Sequence, residues 1–147
     1  MKLCLAASGG GHIRQLLDMK ALWREHDYFF VTEGTALGQS IAGEHPCEFV
    51  PHMALGQARL GRPLQMVVAA LRSIPRSLAI VRKYKPDIVL TTGAGSMIFI
   101  VVWARLLGAR IVLIDSFARF ERPSVFGRIA GLLANLRIAQ SESSASH

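Results

Sequence analysis

Residues 2–12 read KLCLAASGGGH, a short apolar run followed by a serine, three glycines and a histidine. Comparable apolar runs recur along the chain, and each is followed by a segment whose apolar residues have helical spacing. This alternation is typical of a parallel sheet that is covered by helices on both faces. We therefore predict one α/β domain with a Rossmann-like fold over residues 1–140.

The predicted strands and helices alternate along the chain. Strands are expected at residues 2–7, 28–32, 47–50, 87–91 and 110–114. Helices are expected at residues 12–25 and 35–42, from about residue 63 to 84, from the loop at 92–96 to 107, and at 124–133. We expect Pro75 to kink or divide the long helix, Gly108 to cap the next one, and the serine-rich residues 141–147 to be disordered.

Composition narrows the class of protein. With 147 residues, of which 51% are hydrophobic and 18% charged, the chain is expected to form one well-packed domain. Its net charge of +7 suits phosphate ligands or anionic lipid. Cys4 and Cys47 lack metal-site spacing and are expected to be buried thiols of a reducing, cytoplasmic compartment. No apolar run approaches the roughly 20 residues that cross a bilayer, so we expect any membrane contact to be peripheral.

The first candidate ligand loop is Ser8-Gly9-Gly10-Gly11-His12. Glycines let backbone N–H groups approach an anion closely, and the N-terminus of the following helix adds partial positive charge. His12 could hydrogen-bond a phosphate or take a proton from a sugar hydroxyl. The alternative is a tight turn whose glycines serve only sterics. The spacing fits neither the dinucleotide fingerprint nor the nucleoside triphosphate loop.

Two further loops are expected at the same edge of the sheet. In the second, Gly93, Gly95 and Ser96 repeat the anion-binding pattern, with Ser96 as a side-chain donor or helix cap, unless the glycines only permit close helix–strand packing.

In the third loop, Asp115 and Ser116 follow a strand, and Arg119 and Arg122 could grip a diphosphate through forked hydrogen bonds. Asp115 could act as a base or orient a hydroxyl. Alternatively, Asp115 caps a turn and the arginines pair with Glu121 or are solvated.

A basic series lies before the fourth strand and is interleaved with apolar residues: Arg59, Arg62, Arg72, Arg76, Arg82, Lys83 and Lys85. Such a segment could lie on an anionic membrane with its apolar side chains inserted, or its apolar face could simply belong to the core. The pattern does not match a nucleic-acid site, so no nucleic-acid partner is predicted.

Three segments together resemble a known family. They read SGGGH at 8–12, PDIVLTTGAG at 86–95, and DSFAR at 115–119 followed by PSVFGR at 123–128. In this order they resemble the acceptor-side subunit of the asparagine-linked glycosylation N-acetylglucosaminyltransferase, and especially its bacterial exopolysaccharide relatives of the PssD type. The resemblance spans nearly the whole chain. Its last segment is the most specific, whereas the first also occurs in MurG-like transferases.

The resemblance implies the N-terminal, acceptor-binding half of a GT-B glycosyltransferase that is split between two chains. The partner subunit of this heterodimer would bind the UDP-sugar, and this chain would hold a sugar linked to polyprenyl diphosphate. The transferred sugar would be glucuronic acid or N-acetylglucosamine, in exopolysaccharide or capsule biosynthesis. The transmembrane anchor of the eukaryotic subunit has no counterpart in this sequence, which implies peripheral attachment to the cytoplasmic face of the membrane.

Two features depart from the family pattern. Asp115 stands where the family commonly has Glu, and a serine-rich segment follows residue 140 where the family has an aromatic-containing segment.

The resulting hypothesis assigns the three loops to the acceptor diphosphate and His12 or Asp115 to deprotonation of the acceptor hydroxyl. No metal or cofactor is predicted, and the chain alone should show little or no transfer. The alternative is a non-catalytic membrane scaffold that recruits a glycosyltransferase. A self-sufficient nucleotide-binding domain is disfavoured because we find no ribose-binding acidic residue at the expected distance from the first glycine loop.

Overall fold

The computed structural model describes residues 1–52, 63–93, 95–114 and 125–138. The strands in this part of the chain are β1 (Lys2–Ala7), β2 (Asp27–Glu33), β3 (Cys47–Val50), β4 (Ile88–Gly93), β5 (Arg110–Ile114) and β6 (Leu136–Ile138). The helices are α1 (Gly11–Asp18), α2 (Lys20–Trp23), α3 (Ala36–Glu44), α4 (Pro63–Tyr84), α5 (Ile98–Leu106) and α6 (Val125–Leu133).

The six strands form one sheet in the order β3-β2-β1-β4-β5-β6, and every neighbouring pair is parallel. The strand order reverses between β1 and β4, which is the place where ligands bind in open sheets of this type. The register pairs Leu3 with Ile88 at one end and Ala7 with Gly93 at the other. The carboxyl ends of β1 and β4 therefore lie side by side.

Side chains of β1 alternate between two cores. Cys4 and Ala6 belong to a core with α4, α5 and α6, whereas Leu3, Leu5 and Ala7 belong to a second core with α1, α2 and α3. The predicted Rossmann-like sheet with helices on both faces is thus confirmed.

The predicted helix at 12–25 is wrong as a single element, because the structure breaks it at Met19 into α1 and α2. The indole Nε1 of Trp23 donates a hydrogen bond of 2.8 Å to the carbonyl oxygen of Leu16. In an uninterrupted helix, the backbone N–H of Lys20 would donate to this oxygen. The backbone N–H of Met19 also donates to the carbonyl oxygen of Leu16, at 3.2 Å. The hydrogen bond from the buried indole of Trp23 thereby ends α1 at Asp18.

Helix α4 continues through Pro75 and is not divided there. Trp103 Nε1 of α5 donates to the carbonyl oxygen of Ile74 at 3.1 Å, so the neighbouring helix supports the chain at this position. The second half of α4 packs on the sheet through Ile80 and Val81.

Glu48 holds α4 against the edge strand β3. Its carboxylate accepts hydrogen bonds from Lys83 Nζ and Arg76 Nη2, both at 2.7 Å, and from the hydroxyl of Tyr84 at 3.0 Å. Burial alone raises the pKa of Glu48, but the hydrogen bonds from Lys83 and Tyr84 and the charges of Lys83 and Arg76 outweigh it and leave the pKa below its ordinary value. The carboxylate therefore stays ionised at neutral pH.

The structure also tests the predicted end of α5 and adds one short strand. Gly108 has φ +95° and follows α5, with its N–H bonded to the carbonyl of Arg105, so it caps that helix as expected. Strand β6 was not predicted, because three residues carry too little periodicity.

The two thiols differ in burial. Cys4 is fully buried as expected, and burial raises its pKa far above the ordinary value. Cys47 is only half-buried, so the prediction of two buried thiols is wrong for this residue. Burial and the neighbouring Glu48 carboxylate raise the pKa of Cys47 to about 11, which keeps its thiol protonated at neutral pH.

Substitution of two glycines of α3 by alanine is expected to have opposite effects on the free energy of unfolding. A Cβ on Gly38 would lie 2.2 Å from the carbonyl oxygen of Glu33, whereas a Cβ on Gly43 would meet nothing within 4 Å. Gly38→Ala should therefore lower the free energy of unfolding by about 1–3 kcal/mol. Gly43→Ala should raise it by about 0.5–1 kcal/mol, because it restricts the unfolded chain. Urea denaturation of both variants tests this, and equal effects would contradict the packing of α3 on β2.

Candidate functional site

The first glycine loop links β1 to α1. Gly10 has φ +80° and ψ −139°, a conformation that favours glycine, and it forms the N-terminal boundary of α1 without any side-chain hydrogen bond to cap the helix. Backbone hydrogen bonds from Ile13 to Ser8 and from Arg14 to Gly10 close the turn. The first N–H groups of α1 have no side-chain cap and can serve an anion.

The three positions of the first loop differ in whether and why they require glycine. A Cβ on Gly9 would lie 3.0 Å from Cγ2 and Oγ1 of Thr35, so Gly9 permits close approach of the chain that follows β2. Gly10 is required by its positive φ. Gly11 has an ordinary φ, and a Cβ there would meet nothing within 4 Å. The turn itself therefore does not require glycine at position 11, and the space beside Gly11 is open.

His12 joins the first loop to the end of β4. Its Nδ1 lies 3.0 Å from the carbonyl oxygen of Thr92, and the hydroxyl of Thr92 donates to the carbonyl oxygen of His12 at 2.8 Å. Because a carbonyl oxygen only accepts, Nδ1 must carry the hydrogen in this pair. In the neutral imidazole, Nε2 is then the unprotonated nitrogen, and it has the lone pair that a general base needs.

The second glycine loop begins at the same level of the sheet. Gly93 is paired with Ala7, has φ +101°, and donates a hydrogen bond from its N–H to the hydroxyl oxygen of Thr91. Gly95 starts a short 3₁₀ turn that leads into α5. Ser96 is fully buried, and Met97 rather than Ser96 stands at the N-terminus of α5. The cap function proposed for Ser96 is therefore wrong, and its phosphate contact stays a prediction.

The third loop cannot be compared in the same way. Asp115, Ser116, Arg119 and Arg122 lie outside the described residues, and so do Arg59 and Arg62. Strand β5, which precedes Asp115 in the sequence, ends at Ile114 beside β4. The structure thus brings His12 together with the second glycine loop, and the third loop remains an expectation.

Glu33 is a candidate that the sequence analysis missed. It ends β2, only 3% of its surface is exposed, and its Oε2 lies 3.0 Å from Nδ1 of His52. The structure places this acidic residue at the end of the strand that follows the first glycine loop. The predicted strand ends at residue 32, whereas β2 continues by one residue and buries Glu33.

A groove of about 590 Å³ lies beside Glu33. Its walls include Thr35, Phe49, His52, Arg72 and the carboxylate-bearing Glu33. Thr35 is also the residue that contacts Gly9, so the groove adjoins the first glycine loop directly.

The first half of α4 carries an exposed apolar stripe. Leu64, Val67, Val68 and Leu71 have the spacing of one helix face, and their exposed fractions reach 74% at Leu64 and 62% at Leu71. This part of the apolar face is therefore not core. By length and composition alone, Leu64–Tyr84 could cross a bilayer, contrary to our expectation from uninterrupted apolar runs. Burial of Ile80 and Val81 in the sheet core leaves only the first half of the helix free for a membrane.

The residues that the structure describes include no group of three or more His, Cys, Asp or Glu side chains arranged to hold a metal ion.

The fold is shared with much larger sugar-processing proteins. The chain matches MurG of Acinetobacter baumannii with a TM-score of 0.67 and 15% identity, covering 94% of this chain and 40% of that protein. It matches the UDP-GlcNAc 2-epimerase of Neisseria meningitidis, solved with UDP-GlcNAc, with a TM-score of 0.70 and 16% identity, covering 98% and 42%. The epimerase of Methanocaldococcus jannaschii gives 0.69 and 14%, covering 97% and 40%. The chain thus spans about two fifths of their length and has the fold of the N-terminal half of GT-B glycosyltransferases.

Sequence comparison gives a more specific result. No curated protein matches the chain. One family profile does, that of the "Oligosaccharide biosynthesis protein Alg14 like" family, and it covers residues 43–147. This range includes the second glycine loop, α4 and the segment from Asp115 onward. Because the profile covers well over half of a chain whose fold is that of a glycosyltransferase half, this protein belongs to the Alg14-like family of oligosaccharide biosynthesis proteins.

Proposed function

We propose that this chain is the acceptor-binding subunit of a two-component glycosyltransferase. Its partner would bind a UDP-sugar, with glucuronic acid or N-acetylglucosamine as the transferred sugar. This chain would bind a sugar linked to polyprenyl diphosphate, in exopolysaccharide or capsule biosynthesis. The observation that carries the proposal is the pair of hydrogen bonds between His12 and Thr92, which holds a candidate base between two glycine loops at the carboxyl edge of the sheet.

The acceptor diphosphate would lie at the open N-terminus of α1. The uncapped N–H groups and the partial positive charge of the helix attract an anion, and the absence of a side chain at Gly11 leaves room for it. Gly93, Gly95 and Ser96 of the second loop, and Ser116, Arg119 and Arg122 of the third, are proposed to complete this site.

His12 would act as the general base. Its Nε2 takes the proton of the acceptor hydroxyl while the hydroxyl oxygen attacks the anomeric carbon of the donor sugar. The bond from that carbon to the nucleotide diphosphate breaks, and the diphosphate leaves with the electron pair. The carbonyl oxygen of Thr92 holds the Nδ1 hydrogen and stabilises the imidazolium that forms. Asp115 remains a second candidate for the same role.

The proposed partner would supply the rest of the fold. The matching region spans about two fifths of the solved structures that it resembles. The partner would supply the groups that stabilise the departing nucleotide diphosphate, so this chain alone should show little or no transfer.

The exposed stripe of α4 would attach the protein to the cytoplasmic face of the membrane. Leu64, Val67, Val68 and Leu71 offer apolar side chains for insertion, and Arg72 and Arg76 follow on the same helix near anionic headgroups. The same stripe equally supports the alternative of a non-catalytic scaffold. The scaffold predicts that the partner alone transfers sugar at an unchanged rate.

Substitution of Gly11 tests whether the first loop binds an anion. Gly11→Ala should keep or slightly raise stability, since the position is helical and unobstructed, by at most about 1 kcal/mol. It should weaken binding of farnesyl diphosphate by about tenfold, because a methyl group would enter the anion site. Isothermal titration calorimetry and thermal unfolding measure the two effects. Unchanged affinity would favour a purely steric role for the loop.

Two substitutions of His12 separate its chemistry from its position. His12→Asn retains an amide N–H near the Nδ1 position for the Thr92 carbonyl but has no proton acceptor at Nε2, and His12→Ala loses both. With the partner and a diphosphate-linked acceptor, both variants should lose transfer by about 10²–10⁴-fold. The acceptor KM of His12→Asn should stay near that of the wild type. Equal turnover by His12→Ala and wild type would remove His12 from the mechanism.

Vesicle binding tests the role of α4. The double variant Leu64→Gln and Leu71→Gln should bind vesicles of phosphatidylglycerol and phosphatidylcholine at least about tenfold more weakly, since each leucine loses its insertion energy. Leu132→Gln is the matched control, because Leu132 is 88% exposed on α6. Cosedimentation measures the bound fraction. Equal binding by the double variant and the control would contradict attachment through α4.

A further inference from the structure

Glu33 is a buried carboxylate with few partners. Among the described residues, its side chain has one polar contact, the 3.0 Å pair with His52 Nδ1. A carboxylate can accept about four hydrogen bonds, so this one has capacity for further donors. A ligand that donates hydrogen bonds from hydroxyl groups in the groove would use that capacity.

Backbone contacts hold the main chain at Glu33 in a fixed place. Its backbone carbonyl accepts a hydrogen bond from Thr35 N at 2.7 Å, and Gly38 of α3 packs against the same carbonyl. Thr35 in turn caps α3 through Gly38 N. Glu33 therefore belongs to a strand end whose main chain is held by the start of α3.

The groove next to Glu33 has the chemistry of a carbohydrate site. Phe49 and Pro51 provide apolar surface for the C–H face of a sugar ring, and Glu33 and His52 provide polar atoms for its hydroxyls. Arg72 lines the groove and has no ion-pair partner within the described ranges. Arg76 also lines it, but Glu48 and the carbonyl of Phe49 already occupy its guanidinium.

We propose that this groove binds the sugar ring attached to the acceptor diphosphate, and that Glu33 accepts hydrogen bonds from two of its hydroxyls. This inference rests on the proposed acceptor function. The contact between Gly9 and Thr35 places the groove directly beside the loop proposed for the diphosphate, so one molecule can occupy both. Glu33 is then a specificity-determining residue for the acceptor sugar, whereas His12 acts on the reacting hydroxyl.

A nucleotide offers the same chemistry, because its ribose also presents hydroxyl groups next to a diphosphate. The acceptor sugar is favoured because residues of β3 and α4 line the groove, and the exposed apolar stripe proposed to contact the membrane belongs to the same helix as Arg72. A single ligand anchored in the membrane by its polyprenyl chain would thus reach the groove.

The test compares two farnesyl diphosphate probes, one with and one without a sugar, and uses UDP as a nucleotide probe. Wild type and Glu33→Gln are titrated with farnesyl diphosphate, farnesyl-diphospho-glucose and UDP by calorimetry, and circular dichroism and thermal unfolding confirm that the variant is folded. Glu33→Gln should bind farnesyl-diphospho-glucose at least about tenfold more weakly, since hydrogen bonds to a charged acceptor are strong. It should bind farnesyl diphosphate as well as wild type or slightly better, because a nearby negative charge has been removed.

A second pair of variants guards against a folding defect. Arg72→Gln should weaken binding of farnesyl-diphospho-glucose by about threefold without affecting unfolding, because Arg72 is an exposed rim residue that donates hydrogen bonds. Arg82→Gln is the matched control on α4, since Arg82 is equally exposed but does not line the groove. It should leave all three affinities unchanged.

The remaining outcomes overturn the inference in distinguishable ways. Equal affinity of wild type for the two farnesyl probes would remove the sugar site but leave the diphosphate site in place. If Glu33→Gln weakens binding of both farnesyl probes equally, the role of Glu33 is structural and not specific to the sugar. Selective weakening of UDP would assign the groove to a nucleotide. Failure of wild type to bind either farnesyl probe would overturn the proposed function together with this inference.

Discussion

The two hydrogen bonds between His12 and Thr92 connect parts of the chain that are 80 residues apart in sequence. They form because β1 and β4 are adjacent parallel strands that end at the same level, with a shift of register after Ala6. The contact fixes the first glycine loop relative to the second and sets the tautomer of the imidazole. Loss of the register between these strands would change the geometry of both loops and the proton acceptor at once.

Much of the fold follows from local sequence. The runs that form β1, β3 and β5 are short and mostly apolar, and a glycine or proline lies within two residues of each, so they can be recognised as strands. The positions of the two glycine loops follow from the rule that parallel strands present their carboxyl ends at one edge. The break at Met19 could not be predicted in this way. It depends on the indole of Trp23 reaching back to Leu16, which is a contact made by a side chain and not by the backbone pattern.

The site could be predicted only in part, again because some of its contacts are made by side chains that are distant in sequence. Glycine and histidine between a strand and a helix indicate an anion loop by composition alone, whereas the interest of Glu33 lies in its burial and in its distance from His52. That pair joins the ends of β2 and β3, and sequence spacing does not reveal it. The exposed stripe of α4 was also ambiguous in sequence. One apolar face runs along the whole helix, and only the width of the sheet decides which half is core and which half is exposed.

Charge arranges the two proposed subsites in a definite order. The open N-terminus of α1 attracts anions, whereas a carboxylate such as that of Glu33, which lies near the first glycine loop beside Thr35, disfavours them. A ligand with both a diphosphate and a neutral sugar would therefore bind in one orientation, with its diphosphate at the glycine loop and its hydroxyls at Glu33. Reversal would bring two negative groups together in a partly desolvated groove, where their repulsion is strong. In the proposed complex, electrostatics as well as shape would therefore orient the acceptor hydroxyl towards His12.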